Sequence, residues 1–191
     1  MKLVYDSDVK GMVYMQSKWP KIRYFKDWGE YKIDGYRTAV IGGAYSVDKW
    51  YRLDKGYIWY PDEQLSEDEQ SECFQYICGT TREKLDRPHY DLVLTHTCPI
   101  QYEPDDLFLN GIDQSKVDKS MEIFLQKIHD KIYFKVWLWG HYHADRIERP
   151  RMEMFYNDTE SLNDIMYRWK RYSETKELDW WLNKSPNYYM E

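Results

Sequence analysis

Tyr133-Phe134-Lys135-Val136-Trp137-Leu138-Trp139, followed at once by Gly140-His141-Tyr142-His143, is the stretch on which the fold turns. Its first seven residues alternate less than a half-exposed strand would. That predicts a strand covered on both faces, the habit of sheets in layered α/β proteins. Working outward, Asp91 to Thr95 (Asp-Leu-Val-Leu-Thr) is a second compact apolar run and ends on His96. Between the two, Val117, Met121, Phe124, Leu125, Ile128 and Ile132 recur at spacings of three and four, which predicts an amphipathic helix. Lys32 to Ile41 reads as two strand segments around an Asp34-Gly35 turn. Gly42-Gly43 then interrupts the apolar Ala39-Val40-Ile41 where the backbone must come close to something.

The remaining segments fit the same alternation. Pro61, with Asp62, Glu63, Glu67, Asp68 and Glu69, predicts a helix N-terminus, because carboxylates are favoured at the positive end of the helix dipole; that helix should run to about Ile77. Lys2 to Tyr5 reads as a buried strand running into a polar Asp6-Ser7-Asp8 loop. Met12 to Tyr31 is mixed and aromatic, with Pro20 excluding a helix interior. Met152 to Tyr156 suggests one more strand. Leu162, Ile165, Met166 and Trp169 form a last helical stripe after an N-cap at Asp158 or Thr159. Strands alternating with helices predict a layered α/β fold.

The chain has 191 residues, so one domain is expected over 1–191, with 157–191 as a helical C-terminal extension. Hydrophobic residues at 42%, charged residues at 31% and a net charge of -6 exclude disorder, collagen and coiled coil. The acidic balance argues against holding nucleic acid by bulk electrostatics, which needs many cations set against phosphates. No run approaches the roughly 18 apolar residues that span a bilayer, and no signal peptide is read at the start, so no membrane partner and a cytoplasmic location are expected. Cys73, Cys78 and Cys98 lack CxxC spacing and read as buried thiols. With 19 Tyr and 9 Trp, some rings must lie at the surface, which favours contacts with a partner.

Chemistry concentrates on the histidines. His96, His141 and His143 all stand just beyond predicted buried strands, where α/β sheets build their sites. Neutral imidazole is a good ligand for Zn, Mn, Fe or Ni, and two histidines one residue apart, entered through Gly140, can turn toward one centre. His89 and His129 read as ordinary surface residues. Asp48 and Arg52, spaced by four, read as an ion pair.

Gly42-Gly-Ala-Tyr-Ser-Val-Asp48, Thr95-His96 and Gly140-His141-Tyr142-His143 together resemble the calcineurin-like metallophosphoesterases in order, spacing and strand context, over roughly residues 30 to 150. Gly42 to Asp48 with Trp50, Arg52 and Trp59-Tyr60-Pro61 resembles a bacterial and phage branch of that family. The resemblance implies that His96 and His141 bind one metal of a two-metal centre and His143 the other. It also implies an Asp-x-His, a Gly-Asp and a Gly-Asn-His motif ahead of Gly42. Lys2 to Gly11 looks like the opening strand and its Ser-Asp-x-His-Gly turn, with Lys10 in place of histidine. The 31 positions from Gly11 to Gly42 are too few for the other two motifs, so an internal deletion is inferred and the fold is expected to be a reduced metallophosphoesterase-like sandwich lacking part of its N-terminal half.

Two consequences follow for function. The lost bridging carboxylate would hold two cations about 3.5 to 4 Å apart, so its absence favours a single divalent ion on Asp8, His96, His141 and His143. The expected activity is hydrolysis of nucleotide or nucleic-acid phosphodiesters, weakened because the histidine that protonates the leaving oxygen is lost. Lys10 is a candidate phosphate contact. The alternative is a catalytically silent phosphoesterase fold acting as a phage-type, macromolecule-binding inhibitor, with a protein partner or a second copy covering the surfaces that the deletion uncovers.

Overall fold

The computed structural model describes residues 1–79, 87–108, 110, 111 and 113–175. A six-stranded sheet runs through it in the order β4 (Trp28–Ile33), β5 (Tyr36–Ile41), β6 (His89–Thr95), β7 (Tyr133–Trp139), β9 (Met152–Met154) and β8 (Arg146–Arg149). The four inner strands are parallel, and β4 and β8 close the two edges antiparallel. Helices cover both faces, so the mixed, layered α/β architecture is the observed one. No described helix is long and apolar enough to cross a membrane.

β7 explains the layering. Trp137 and Trp139 point into a core built with α2 (Glu67–Cys78) and α3 (Ser120–His129), among them Ile77, Phe124, Leu125 and Ile128. Val136 points the other way, onto Leu92 and the Ile165, Met166 and Trp169 stripe of α4 (Leu162–Thr175). From Val136 to Trp139 the strand is covered on both sides and has no polar face to alternate, whereas Tyr133 and Lys135 at its start are exposed. α4 supplies the helical part of the predicted extension and packs against the sheet; residues 176–191, with Trp180 and Trp181, lie outside the described residues.

Several boundaries differ from expectation. α2 begins at Glu67, not near Pro61, because Ser66 and Glu69 form a reciprocal capping box: the Ser66 hydroxyl accepts from the Glu69 N–H at 3.3 Å and the Glu69 carboxylate from the Ser66 N–H at 2.8 Å. α4 is capped by Ser161, whose Oγ accepts from the Asp164 N–H at 3.2 Å, and not by Asp158 or Thr159. α3 begins at Ser120, after Val117, and ends at His129, before Ile132. Asp34 and Gly35 both take positive φ, as the tight turn joining β4 to β5 requires. The three cysteines are buried free thiols.

The N-terminal segment departs furthest. β1 (Lys2–Asp6), β2 (Gly11–Gln16) and β3 (Trp19–Phe25) form a separate antiparallel sheet. Among the described residues β1 pairs only with β2, register Lys2 to Met15 through Asp6 to Gly11, and leaves Leu3 and Tyr5 exposed. It is therefore neither a buried strand nor a member of the parallel set. Pro20 lies in the edge strand β3, where a missing N–H is tolerated. Val13, Tyr31 and Val40 join the small sheet to the large one. A side chain at Gly11 would come within 2.4 Å of the Tyr31 ring, so only glycine allows that approach.

Candidate functional site

Parallel pairing sets the site, because it brings the carboxyl ends of β5, β6 and β7 to one edge of the sheet. The His96 N–H donates to Ile41 O at 3.3 Å, and the His96 carbonyl accepts from the Gly140 N–H at 3.0 Å. His96 is thus held between the ends of its two neighbours, and the Gly140–His143 turn is tied directly to it. The His96 and His141 rings stand edge to face, 5.2 Å between centroids. His141 and His143 both take positive φ, at 72° and 55°, conformations rare for residues with a side chain. His143 does not close on the pair; its ring stacks on Tyr156 at 4.6 Å and 19°. Three N–H groups, of Tyr156, Asn157 and Asp158, donate to the Asp145 carboxylate and hold Tyr156 there.

Electrostatics keep the paired imidazoles neutral. Burial, then the neighbouring His96 and His143, push His141 down to about 4, against the opposing pull of Glu63. His96, although an exposed residue, is lowered as well, first by desolvation and then by His143. Neutral imidazole is the form that binds a cation.

Glu63 had read as part of a helix start. It instead sits on the loop beneath the site, its carboxylate accepting from the Ser46 N–H at 3.1 Å and the Ser46 hydroxyl at 2.7 Å. Gly43, at φ 95°, permits this packing: a Cβ there would stand 3.2 Å from the Glu63 carbonyl. A cleft of about 190 Å³, lined by Tyr45, Val47, Phe108, Glu122, His141 and His143, opens beside the histidines.

Asp8 and Lys10, grouped with the histidines on sequence, lie elsewhere. Both belong to the turn between β1 and β2, and Val9 of that turn accepts from the Lys32 N–H at 2.7 Å. Lys32 pairs with Arg37, four residues before Ile41 on β5, so this turn meets the large sheet about 13 Å from the histidine end. Asp8 is exposed and pairs with Arg23 at 2.7 Å. Asp6 shapes the turn, accepting from the Asp8 and Val9 N–H groups and from Arg23. The aspartate predicted as fourth ligand is thus drawn away by a hairpin that stands where a buried strand and its loop are expected. Asp48 and Arg52 form the expected ion pair at 2.6 Å. His129 is half-buried in an aromatic cluster with Tyr102, Phe134 and Trp137, more enclosed than a surface residue.

A cation about 2.1 Å from each of two imidazole nitrogens places the ring centroids roughly 5 Å apart, a spacing that His96 and His141 already have. His143 reaches the same centre only by turning its ring off Tyr156. Among the described residues no three His, Cys, Asp or Glu side chains form a ready metal-holding group, so the fit is that of a two-histidine edge rather than a closed centre. Tyr156, Tyr142 and Glu63, which sequence reasoning left out of the site, are all in contact with it or charge-coupled to it. Only Tyr142, lying between the two histidines, carried a local signal. No protein-family model matches the chain, and no curated protein or solved structure matches it.

Proposed function

We propose that this chain is a reduced phosphodiester hydrolase of the calcineurin-like metallophosphoesterase type, acting on nucleotide or nucleic-acid phosphodiesters. His96 and His141 hold one divalent cation, with His143 as a third ligand once its ring leaves Tyr156. Asp8 and Lys10 take no part. The observation that carries the reading is the pair of imidazoles, 5.2 Å apart, fixed at the carboxyl ends of adjacent parallel strands by the hydrogen bond from Gly140 to His96. A bound cation would lower the pKa of a coordinated water and offset phosphoryl charge. The chain's own part is to present neutral nitrogens, and through the cleft beside them an approach for the ester. Mn²⁺-dependent hydrolysis of bis(p-nitrophenyl) phosphate tests this. Wild-type turnover should fall at least about 100-fold in His141→Ala, in line with loss of a metal ligand, and stay unchanged in Asp8→Ala. Absence of turnover in folded wild-type protein overturns it.

A second reading, a silent fold that binds and inhibits another macromolecule, is favoured by the segment from Lys49 to Tyr60. Its helix α1 (Lys49–Asp54) buries no residue, and Trp50 and Ile58 are 68% and 71% exposed. Tyr51 and Tyr60 of the same segment are exposed as well, and apolar and aromatic residues gathered at the surface mark contact sites. If it pairs two copies, light scattering gives a dimer that Trp50→Asp with Ile58→Asp dissolves; a monomer at high concentration counts against that form of it.

A further inference from the structure

The two histidine-bearing turns are tied together a second time, from beneath, by buried polar groups. Thr97, immediately after His96, is 0% exposed, and Glu122 on α3 is 4% exposed. The Thr97 hydroxyl donates to Glu122 Oε1 at 2.7 Å. With its proton committed, that hydroxyl accepts from the Tyr142 O–H at 3.1 Å, and the Cys98 thiol lies 3.7 Å from the same phenol oxygen. Tyr142 sits between His141 and His143, its ring edge-on to His141 at 4.9 Å. On the other side of His96, the Trp137 indole N–H donates to Thr95 Oγ1 at 2.9 Å and the Thr95 hydroxyl donates to Thr97 O at 2.5 Å. A core needing only stability would fill this space with apolar side chains, since buried polar groups cost free energy unless fully partnered, and Glu122 Oε2 has no partner among the described residues.

We infer that Glu122, Thr97 and Tyr142 are positioning residues that fix the spacing of His96 and His141 by joining α3 to both turns. The inference rests on the cation-binding reading of those histidines. Glu122 also lines the cleft beside His141, and the network acts on the ligands through the backbone of residue 97 and the ring of residue 142. Outer partners of this kind set ligand orientation and are worth about 10- to 100-fold in metal affinity.

Thr97→Val keeps the side chain's shape and removes the hydroxyl, Thr97→Ser restores a hydroxyl, and Tyr142→Phe removes the other end of the link. Two readouts separate the inference from the function beneath it: Co²⁺ affinity by calorimetry, and long-range ¹H–¹⁵N spectra of the histidine rings in metal-free protein. Thr97→Val should weaken Co²⁺ at least about 10-fold and shift the ring signals of both His96 and His141, while Thr97→Ser stays within about twofold and leaves them in place. Tyr142→Phe should move the same two rings, and it decides the matter if Thr97→Val does not fold. Unshifted rings in both folded variants, or wild-type Co²⁺ affinity in Thr97→Val, overturn the inference. If wild-type protein binds no Co²⁺, the cation reading fails, and the ring spectra alone then decide the network.

Discussion

Glu153 lies on β9, the strand that leads into Tyr156 beneath His143, and replacing it tests how burial and ion pairing compete behind the site. It is 3% exposed, accepts from the Trp169 indole N–H and lies 3.1 Å from Arg168 Nη2. Burial is the largest influence and lifts its carboxyl to about 7, against the pull of Arg168 and Trp169. A folded value above the unfolded 4.5 means that the native state keeps its proton longer, so this residue's stability contribution is whole below pH 4.5 and is lost as pH rises toward 7. The interval corresponds to about 3 kcal/mol. Glu153→Gln keeps the shape and an acceptor for Trp169, and Arg168 retains Glu160 at 2.5 Å. Urea unfolding of both proteins at pH 4, 6 and 8 should show the variant gaining on wild type as pH rises, by up to about 3 kcal/mol at pH 8. A difference that does not change with pH, or a variant that falls behind at high pH, would show that pairing with Arg168 outweighs desolvation and refute the reasoning.

Gly43→Ala forces a Cβ to 3.2 Å from the Glu63 carbonyl at φ 95°, and thermal unfolding should report a loss of about 1–3 kcal/mol; unchanged stability would remove the close approach from the account. Asp6→Ala deprives two N–H groups and Arg23 of their acceptor and should lower the denaturation midpoint, whereas Asp8→Ala, at a side chain 75% exposed, should leave it unaltered; equal effects would contradict the roles given to the two aspartates. Burial pushes the Cys73, Cys78 and Cys98 thiols up to about 12, so labelling by Ellman's reagent at pH 8 should proceed only as the protein unfolds. Prompt reaction of any one thiol in native protein would show that it is not enclosed.

What could be read in the chain divides along local and non-local lines. β6 and β7 are legible because burial on both faces marks a run of about four residues in each, Leu92 to Thr95 and Val136 to Trp139, and the histidines follow at their ends. β1 is ambiguous for the same reason: Leu3-Val4-Tyr5 ending in Asp6 is as compatible with an exposed strand as with the buried one expected, and only the partner decides. That partner, β2, hides in Met12-Val13-Tyr14-Met15, where only Val13 is fully buried and the alternation is masked by an exposed Met12 and half-buried Tyr14 and Met15. Asp8 followed β1 into the wrong place. Glu63 was lost to a plausible helix start, because a capping box three residues beyond it fixes the true one. Tyr156 joins the site through a turn closed by Asp145, eleven residues away, and no short-range pattern announces that pairing.

The Gly140–His143 turn shows why the histidine end needs this much support. Left-handed backbone at His141 and again at His143 costs of order 1–2 kcal/mol each, and an unconstrained loop would relax out of it. It persists because the turn is over-determined: Gly140 N–H on His96, Tyr142 N–H on Gly140 O at 2.9 Å, the Tyr142 hydroxyl on Thr97, and the Asp145 carboxylate gathering three N–H groups beyond. An extended backbone would send residues 141 and 143 to the same side of a strand and out along its axis. The two left-handed residues instead curl the chain at once, setting His141 against His96 while His143 lies over Tyr156. The strain of these two residues thus lies in the turn that brings the imidazoles together, and the hydrogen bonds that resist its relaxation are the same ones that set the spacing between His96 and His141.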